Sequence, residues 1–259
     1  MKLISARNLS VFFQPQREQL LLRQQLKNLF SRMPQGHFQA LRDVSFDAHA
    51  GEGIAVLGQN GAGKSTLLSV LAGVLAPSSG AAEVRGRVGA LLDLGAGFHT
   101  DLTGRENLVL NAALLGLSRN EVAQRFNAIL EFSELGDFID EPLKNYSAGM
   151  RLRLAFSVAA HVDPATVMID EVLAVGDAAF AQKCLRRVRG MREEGRLILC
   201  VSHSVAAIEG LCDRAIWLHC GRIVQDGPLK EVVAAYNAFM ADPHRRFRDG
   251  FEQPAPASG

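Results

Sequence analysis

The stretch Gly58-Gln59-Asn60-Gly61-Ala62-Gly63-Lys64-Ser65-Thr66 constrains this chain more than any other. It fits the pattern G-x-x-x-x-G-K-[ST]. Glycines in such a loop let the backbone adopt conformations closed to other residues, so several N–H groups converge on one anion. A helix that opens near Lys64 adds its positive N-terminal end. In loops of this pattern the lysine reaches the β- and γ-phosphates and the hydroxyl serves a magnesium ion. The context agrees: residues 53–57 (G-I-A-V-L) form an apolar, strand-like run and residues 65–75 are helix-like. A chance match in a chain of ordinary composition is expected about 1% of the time. A plain glycine turn between strand and helix is therefore the weaker reading. The stretch implies a nucleoside-triphosphate site.

The length, 259 residues, suits one large domain or one domain with a subdomain. Hydrophobic residues at 48% leave ample material for a core. A formal net charge of +1 argues against wholesale nucleic-acid binding through a basic surface. Cys184, Cys200, Cys212 and Cys220 form no C-x-x-C pair and read as reduced thiols rather than metal ligands. No apolar run approaches the roughly 20 residues that span a bilayer, and the first ten residues lack the apolar core of a signal peptide. The expectation is a soluble, cytosolic chain able to dock on a membrane protein.

In chain order, residues 3–13 read as an edge strand ending in Phe12-Phe13. Residues 14–37 carry Arg17, Arg23, Lys27 and Arg32 against Glu18. Leu22, Leu26, Leu29, Phe30 and Met33 share one helical face there, which predicts a basic amphipathic helix facing a membrane, a partner or its own domain. Residues 41–48 alternate as a strand. Residues 77–80 read as a turn, 83–94 as strand broken at Gly86 and Gly89, and 95–99 as a glycine loop. Residues 102–160 read as helical, with a capping box at Ser118–Glu121 and a break at Pro142. Strands follow at 166–170, 197–201 and 214–219, and helices near 179–194, 205–212 and 229–240. A hairpin turn is expected at Cys220-Gly221. The pattern is α/β with an inserted helical block, and the tail from residue 242 is polar and expected to be mobile.

Three residues beyond the loop carry further chemistry. Residues 167–171, V-M-I-D-E, form a buried-type strand ending in two carboxylates. A carboxylate beside a phosphate-binding loop normally holds Mg²⁺, which is the role expected of Asp170. Glu171 is placed to orient or deprotonate an attacking water. His203 follows the strand at 197–201, and ligand sites in open α/β sheets lie at such carboxyl ends. It is the candidate for a γ-phosphate contact.

The chain resembles the ATP-binding subunits of ABC transporters. The resemblance covers about residues 1–235 and rests on G-Q-N-G-A-G-K-S-T (58–66), N-Y-S-A-G-M-R (145–151), V-M-I-D-E (167–171), V-G-D (175–177) and V-S-H (201–203). It implies a P-loop NTPase of RecA-like type: an ABC core with an inserted helical subdomain and a small antiparallel β element. It also implies the cofactors ATP and Mg²⁺ and an ATPase activity with Lys64, Glu171 and His203 as catalytic residues. In such proteins two subunits sandwich two ATP molecules. Ser147, Ala148, Gly149 and Met150 of one copy would cap the γ-phosphate held by the other copy's loop, and Asp177 matches the segment that relays between the two sites. Tyr146, Ala148 and Met150 depart from the usual signature L-S-G-G-Q, while Ser147 and Gly149 match. Phe13 is the choice for the aromatic that stacks on adenine, with Phe12 and Phe38 as competitors.

The family usually carries a glutamine near residues 93–94 that touches Mg²⁺; here Asp93 and Leu94 stand there. Asp93 is the candidate replacement. This departure, an insertion after the first strand, Y-S-x-G-M, and D-E-x-L-A-V-G-D over residues 170–177 are similar to the branch that exports O-antigen, capsule and teichoic acid. The implied assembly is a homodimer with ATP at its interface, bound to a polytopic membrane permease. It handles a lipid-linked polysaccharide at the cytoplasmic face of the inner membrane and no nucleic acid. The expected domain spans residues 1–241, with a helical subdomain at about 100–162. Residues 242–259 form a tail too short for the sugar-binding domain that some members carry. A non-transport ABC switch normally needs a second cassette or a long coiled coil. A small-molecule kinase or GTPase fails on the Y-S-A-G-M and S-H elements.

Overall fold

The apolar run that feeds the phosphate loop, β3 (Gly53–Leu57), is buried at every position, which is what a central parallel strand covered on both faces requires. In the computed structural model, which describes residues 1–13, 38–91, 97–170, 177–201 and 210–241, β3 has a neighbour on each side. The others in its sheet are β5 (Val88–Leu91), β6 (Thr166–Asp170), β7 (Leu197–Val201), β8 (Arg214–His219) and β9 (Arg222–Pro228). The order is β5-β6-β7-β3-β8-β9, parallel except for the β8-β9 hairpin. A second, antiparallel sheet holds β2 (Phe38–His49), β1 (Lys2–Phe13) and β4 (Ser79–Val84), in that order. The strand expected at an edge, β1, is thus the central one, because β4 pairs with its free side. Within the predicted strand at 83–94, residues 83–84 and 88–91 belong to two strands in different sheets, separated at Gly86 (φ 82), and residues 92–94 lie outside the described residues. Residues 79–80, expected in a turn, already belong to β4.

Side-chain alternation along the large sheet sorts its residues into two cores. Ile54, Val56, Met168, Leu199 and Ile216 face the antiparallel sheet and Leu67, Leu68 and Leu71 of α1 (Lys64–Leu71). Ala55, Leu57, Ile169, Ile198 and Trp217 face the opposite layer, built on Phe156, Phe180 and Phe239. Period-2 alternation with both sets apolar is how a doubly covered sheet reads. Helix α1 is shorter than the predicted 65–75 because Gly73 turns left-handed (φ 74) and ends it.

The helical block comprises α2 (Gly104–Leu114), α3 (Arg119–Ser133) and α4 (Ala148–Ala159), with two short 3-10 turns, Gly136–Asp140 and Leu143–Asn145, between α3 and α4. It has its own core of Leu108, Ala112, Ile129, Leu143, Tyr146, Leu154 and Val158. Ser118 and Glu121 form the expected capping box on α3. A second capping box, Thr103 with Glu106, opens α2; the T-x-x-E spacing is its sequence signal. The chain then returns through α5 (Ala178–Glu193) and ends, within the described residues, at α6 (Leu229–Ala241). The predicted amphipathic helix at 14–37, the tail from 242 and all but the end of the helix near 205–212 lie outside the described residues.

Candidate nucleotide site

The phosphate loop connects the carboxyl end of β3 to α1, and its shape comes from the two sheets that grip it. Gly63 is the left-handed N-cap of α1 (φ 104). A Cβ there would come within 2.4 Å of the Ala40 carbonyl oxygen in β2, so glycine is required both by conformation and by space. The β8-β9 turn, Cys220 (φ 48) and Gly221 (φ 77), is the two-residue hairpin expected there, with both residues left-handed. Its tip braces the loop: the Gly221 N–H donates to Ala62 O at 3.0 Å, and the Arg42 N–H donates to Gly221 O at 2.8 Å. At the other end, Gln59 Nε2 donates to Met240 Sδ of α6 at 3.2 Å.

Lys64 is buried, and its ammonium donates to the carbonyls of Gly58 at 2.8 Å and Gln59 at 3.0 Å. The loop therefore holds a positive charge against its own backbone. Helices α2 to α5 each carry a side-chain N-cap, from Thr103, Ser118, Ser147 and Asp177. Helix α1 has none and no acidic residue in its first turn. Its first N–H groups thus lack both a cap and a competing negative charge, which suits an anion at the helix N-terminus. Ser65, Asn60 and Gly61 are exposed on the loop, while Ala62 is buried and Thr66 half-buried. A glycine cradle, a buried lysine and an uncapped helix start fit a polyphosphate.

Sheet register brings Asp170 to the same end of the molecule. Asp170 and Val56 both stand opposite Val201, one from each side of β7. The carboxyl ends of β3, β7 and β6 are therefore level, and strand spacing puts β6 about 10 Å from β3. Asp170 closes β6, and Val201 closes β7 two positions before His203. Glu171, His203 and Asp93 lie outside the described residues.

Phe13 and Phe38 face each other as a cross-strand pair at the end of the β1-β2 ladder. Both are exposed, as is Phe12 opposite Gln39. Ala40, whose carbonyl touches the loop, lies two residues beyond Phe38. All three aromatic candidates thus lie at the end of the β1-β2 ladder next to Ala40.

The predicted signature lies on the helical block. Ser147 is exposed and caps α4 by accepting from the Met150 N–H at 3.1 Å; Ala148 is exposed, while Gly149 and Met150 are half-buried. Tyr146, which departs from the family's leucine, is buried, and its hydroxyl donates to the Phe138 carbonyl at 2.5 Å. Burial pushes that phenol up to about 12, with Asp140 and Glu141 adding to it. The sequence reading missed Asn107, which is fully buried. Its Oδ1 accepts from the His99 N–H at 2.7 Å, and its Nδ2 donates to the carbonyls of His99, Leu102 and Thr103. This one side chain knots the segment between the glycine loop and α2. Asp177, exposed, caps α5 by accepting from the Phe180 N–H at 2.9 Å and pairs with Arg153. The cap bond, foremost, and Arg153 hold its carboxyl below the usual range.

Comparison with known proteins agrees with this arrangement. A family model described as ABC transporter matches residues 41–174. The chain is 48% identical over 215 residues to an O-antigen export system ATP-binding protein, RfbB, of Klebsiella pneumoniae, covering 83% of this chain and 87% of that protein. It is 42% identical over 219 residues to a teichoic acids export ATP-binding protein, TagH, of Enterococcus faecalis, covering 83% of this chain but 48% of that longer protein. Among solved structures, the ATP-binding subunit of an ABC transporter superposes with a TM-score of 0.72 at 25% identity, over 91% of this chain and 93% of that one. A dimeric ATP-binding cassette in a post-hydrolysis state with ADP and Pi shares the fold, with a TM-score of 0.68 at 19% identity over 87% of this chain and 98% of that one. With the family model spanning more than half the chain and the relatives covering more than four fifths of it, this chain belongs to the ABC transporter family.

Proposed function

We propose that this chain is the ATP-hydrolysing subunit of an exporter that moves a lipid-linked polysaccharide, of O-antigen, capsule or teichoic-acid type, across the cytoplasmic membrane. The observation that carries the export reading is the 48% identity to an O-antigen export protein over 87% of its length. No described helix is long and apolar enough to cross a membrane. The membrane path is supplied by a polytopic permease subunit, on whose cytoplasmic face this chain sits. Residues 1–241 form the ATPase domain with residues about 100–162 as its helical subdomain.

ATP binds along Gly58, Gln59, Asn60, Gly61, Ala62, Gly63, Lys64, Ser65 and Thr66, with its base against Phe13 or a neighbouring aromatic at the β1-β2 end. Ser65 and Asp170 would hold Mg²⁺, with Asp93 in part replacing the missing glutamine; when bound, the ion would supply positive charge against the triphosphate. Glu171 takes a proton from the water whose oxygen bonds to the γ-phosphorus as the β–γ bridge bond breaks. His203 and Lys64 stabilise charge on the departing phosphoryl group. Ser147, exposed at the start of α4, closes the site of a second copy, so the working unit is a homodimer. Closure on ATP and reopening after hydrolysis is the mechanical stroke.

Affinity purification of the full chain from host membranes tests the export reading. Recovery of a multi-spanning membrane protein in fixed ratio is expected; recovery of nucleic acid with no membrane protein would refute it. Glu171→Gln should accumulate an ATP-bound dimer, and a variant that stays monomeric at saturating ATP would refute the sandwich. Asp93→Ala should lower permease-coupled turnover; unchanged coupled turnover would remove Asp93 from the site.

A further inference from the structure

Arg153 of α4 forks between two carboxylates that belong to different elements. Its Nη1 donates to Glu134 Oε2 at 3.0 Å and its Nη2 to Oδ2 of Asp177. Glu134 is the left-handed C-cap of α3 (φ 58), and its other oxygen accepts from Lys183 Nζ of α5 at 2.7 Å. The second oxygen of Asp177 caps α5. Each carboxylate is therefore committed at both oxygens, and the arginine joins the end of α3, the body of α4 and the start of α5. Below the charges lies an aromatic floor. The guanidinium sits 4.7 Å over the Phe180 ring and Lys183 sits 4.7 Å over Phe132, and Phe132, Phe156 and Phe180 contact one another.

Exposed ion pairs contribute little, so burial decides what this cluster is. The Arg153 side chain is only 20% exposed, against 49% for Glu134 and 59% for Asp177. The fork is thus fixed from the arginine's side by packing. A planar guanidinium with five donors can bridge two carboxylates in one geometry, which a lysine cannot reproduce.

We propose that Arg153 is a positioning residue that locks the helix carrying Ser147 to the N-cap of α5 at Asp177, so that both meet the second copy as one rigid piece. The inference rests on the reading that ATP closes a dimer through Ser147. Loss of the fork should leave ATP binding by a single chain intact and weaken closure.

The test uses the full chain in the Glu171→Gln background, with Arg153→Ala, Arg153→Lys and Asp177→Asn added singly and Arg153→Ala combined with Asp177→Asn. Two quantities are measured: the ATP dissociation constant at a protein concentration that keeps the chain monomeric, and the ATP concentration giving half-maximal dimer by sedimentation. For the Arg153 variants the monomer constant should stay within about twofold. The dimer midpoint should rise tenfold or more for Arg153→Ala and by an intermediate amount for Arg153→Lys. The double variant should be no worse than Arg153→Ala alone. Should Arg153→Ala fold poorly, the other two single variants, which keep the charge or the cap oxygen, carry the comparison. If the Glu171→Gln parent forms an ATP dimer and these variants match its midpoint, the positioning role is overturned. If the parent forms no dimer, the sandwich reading falls, and this inference with it.

Discussion

Gly104 and Tyr146 offer a stability cycle in which two effects oppose each other. Gly104 is the first residue of α2, where alanine would ordinarily add up to about 1 kcal/mol of helix propensity. A Cβ at that position would lie 2.1 Å from the Tyr146 hydroxyl oxygen and 3.0 Å from the Ile139 carbonyl oxygen. The hydroxyl cannot swing aside freely, because the ring is buried and bonded to the Phe138 carbonyl. Overpacking of this kind costs about 1–3 kcal/mol, and displacing the hydroxyl loses a further hydrogen bond of about 1 kcal/mol. The clash wins, and Gly104→Ala should be destabilising by about 1–3 kcal/mol net. Tyr146→Phe alone should cost only about 0.5–1.5 kcal/mol, because Phe138 O still accepts from the Glu141 N–H at 3.0 Å and is not orphaned. In the double variant the new Cβ meets the Ile139 carbonyl oxygen at 3.0 Å and the ring Cζ at 3.1 Å, contacts that a shift of a few tenths of an ångström relieves. Gly104→Ala should therefore cost little once Tyr146 is phenylalanine, with a coupling of at least about 1 kcal/mol in favour of the double variant. Thermal unfolding of the four proteins reads this, at about 2–4 °C per kcal/mol for a chain of this size. Additivity within about 0.5 kcal/mol would refute the packing argument.

Other expectations follow from features already described. Lys64→Ala should abolish ATP hydrolysis in a phosphate-release assay, and undiminished turnover would refute the site assignment. Gly221→Ala places a Cβ 2.7 Å from the Ala40 carbonyl oxygen at a left-handed φ of 77, which should cost about 1–3 kcal/mol. It should also raise the KM for ATP by loosening the brace on Ala62; a variant with unchanged KM and melting temperature would show that the turn does not hold the loop. Burial holds the His161 imidazole below its ordinary pKa, against its bond to the Ser157 carbonyl at 2.7 Å, with Arg187 and Arg125 reinforcing the effect. The unfolded chain then binds a proton that the folded chain does not, so stability should fall as pH drops below about 6.5. Melting temperatures across pH 5 to 8 should show a shallower decline for His161→Gln than for the parent protein; parallel curves would refute the assignment.

What the sequence disclosed was whatever local chemistry encodes. The phosphate loop, the apolar strand before it, the capping box at Ser118 and the turn at Cys220-Gly221 are written in consecutive residues. Their physics is satisfied within a few positions of chain. Pairing partners are not written that way. The central place of β1 depends on β4, and β4 separates from β5 at a single left-handed glycine; alternation alone carries no record of which sheet a strand joins. The same limit hid the fork at Arg153, whose partners lie 19 and 24 residues away along the chain. Asn107 was equally invisible, since a buried asparagine that satisfies four backbone groups reads in sequence as one polar residue in a helix.

The placement of β3 also orders events during synthesis. Its two hydrogen-bonded neighbours, β7 and β8, begin at residues 197 and 214, and the brace on Ala62 comes from residue 221. The cradle's own residues leave the ribosome early, but β3 gains its first strand neighbour only when about three quarters of the chain exists, and the brace on Ala62 comes only after more than four fifths. At about 5–20 residues per second that interval is on the order of ten seconds. Throughout it the apolar run G-I-A-V-L stands unpaired and available to chaperones or to wrong partners. Truncated nascent chains ending before residue 197 should therefore retain no nucleotide on the phosphate loop.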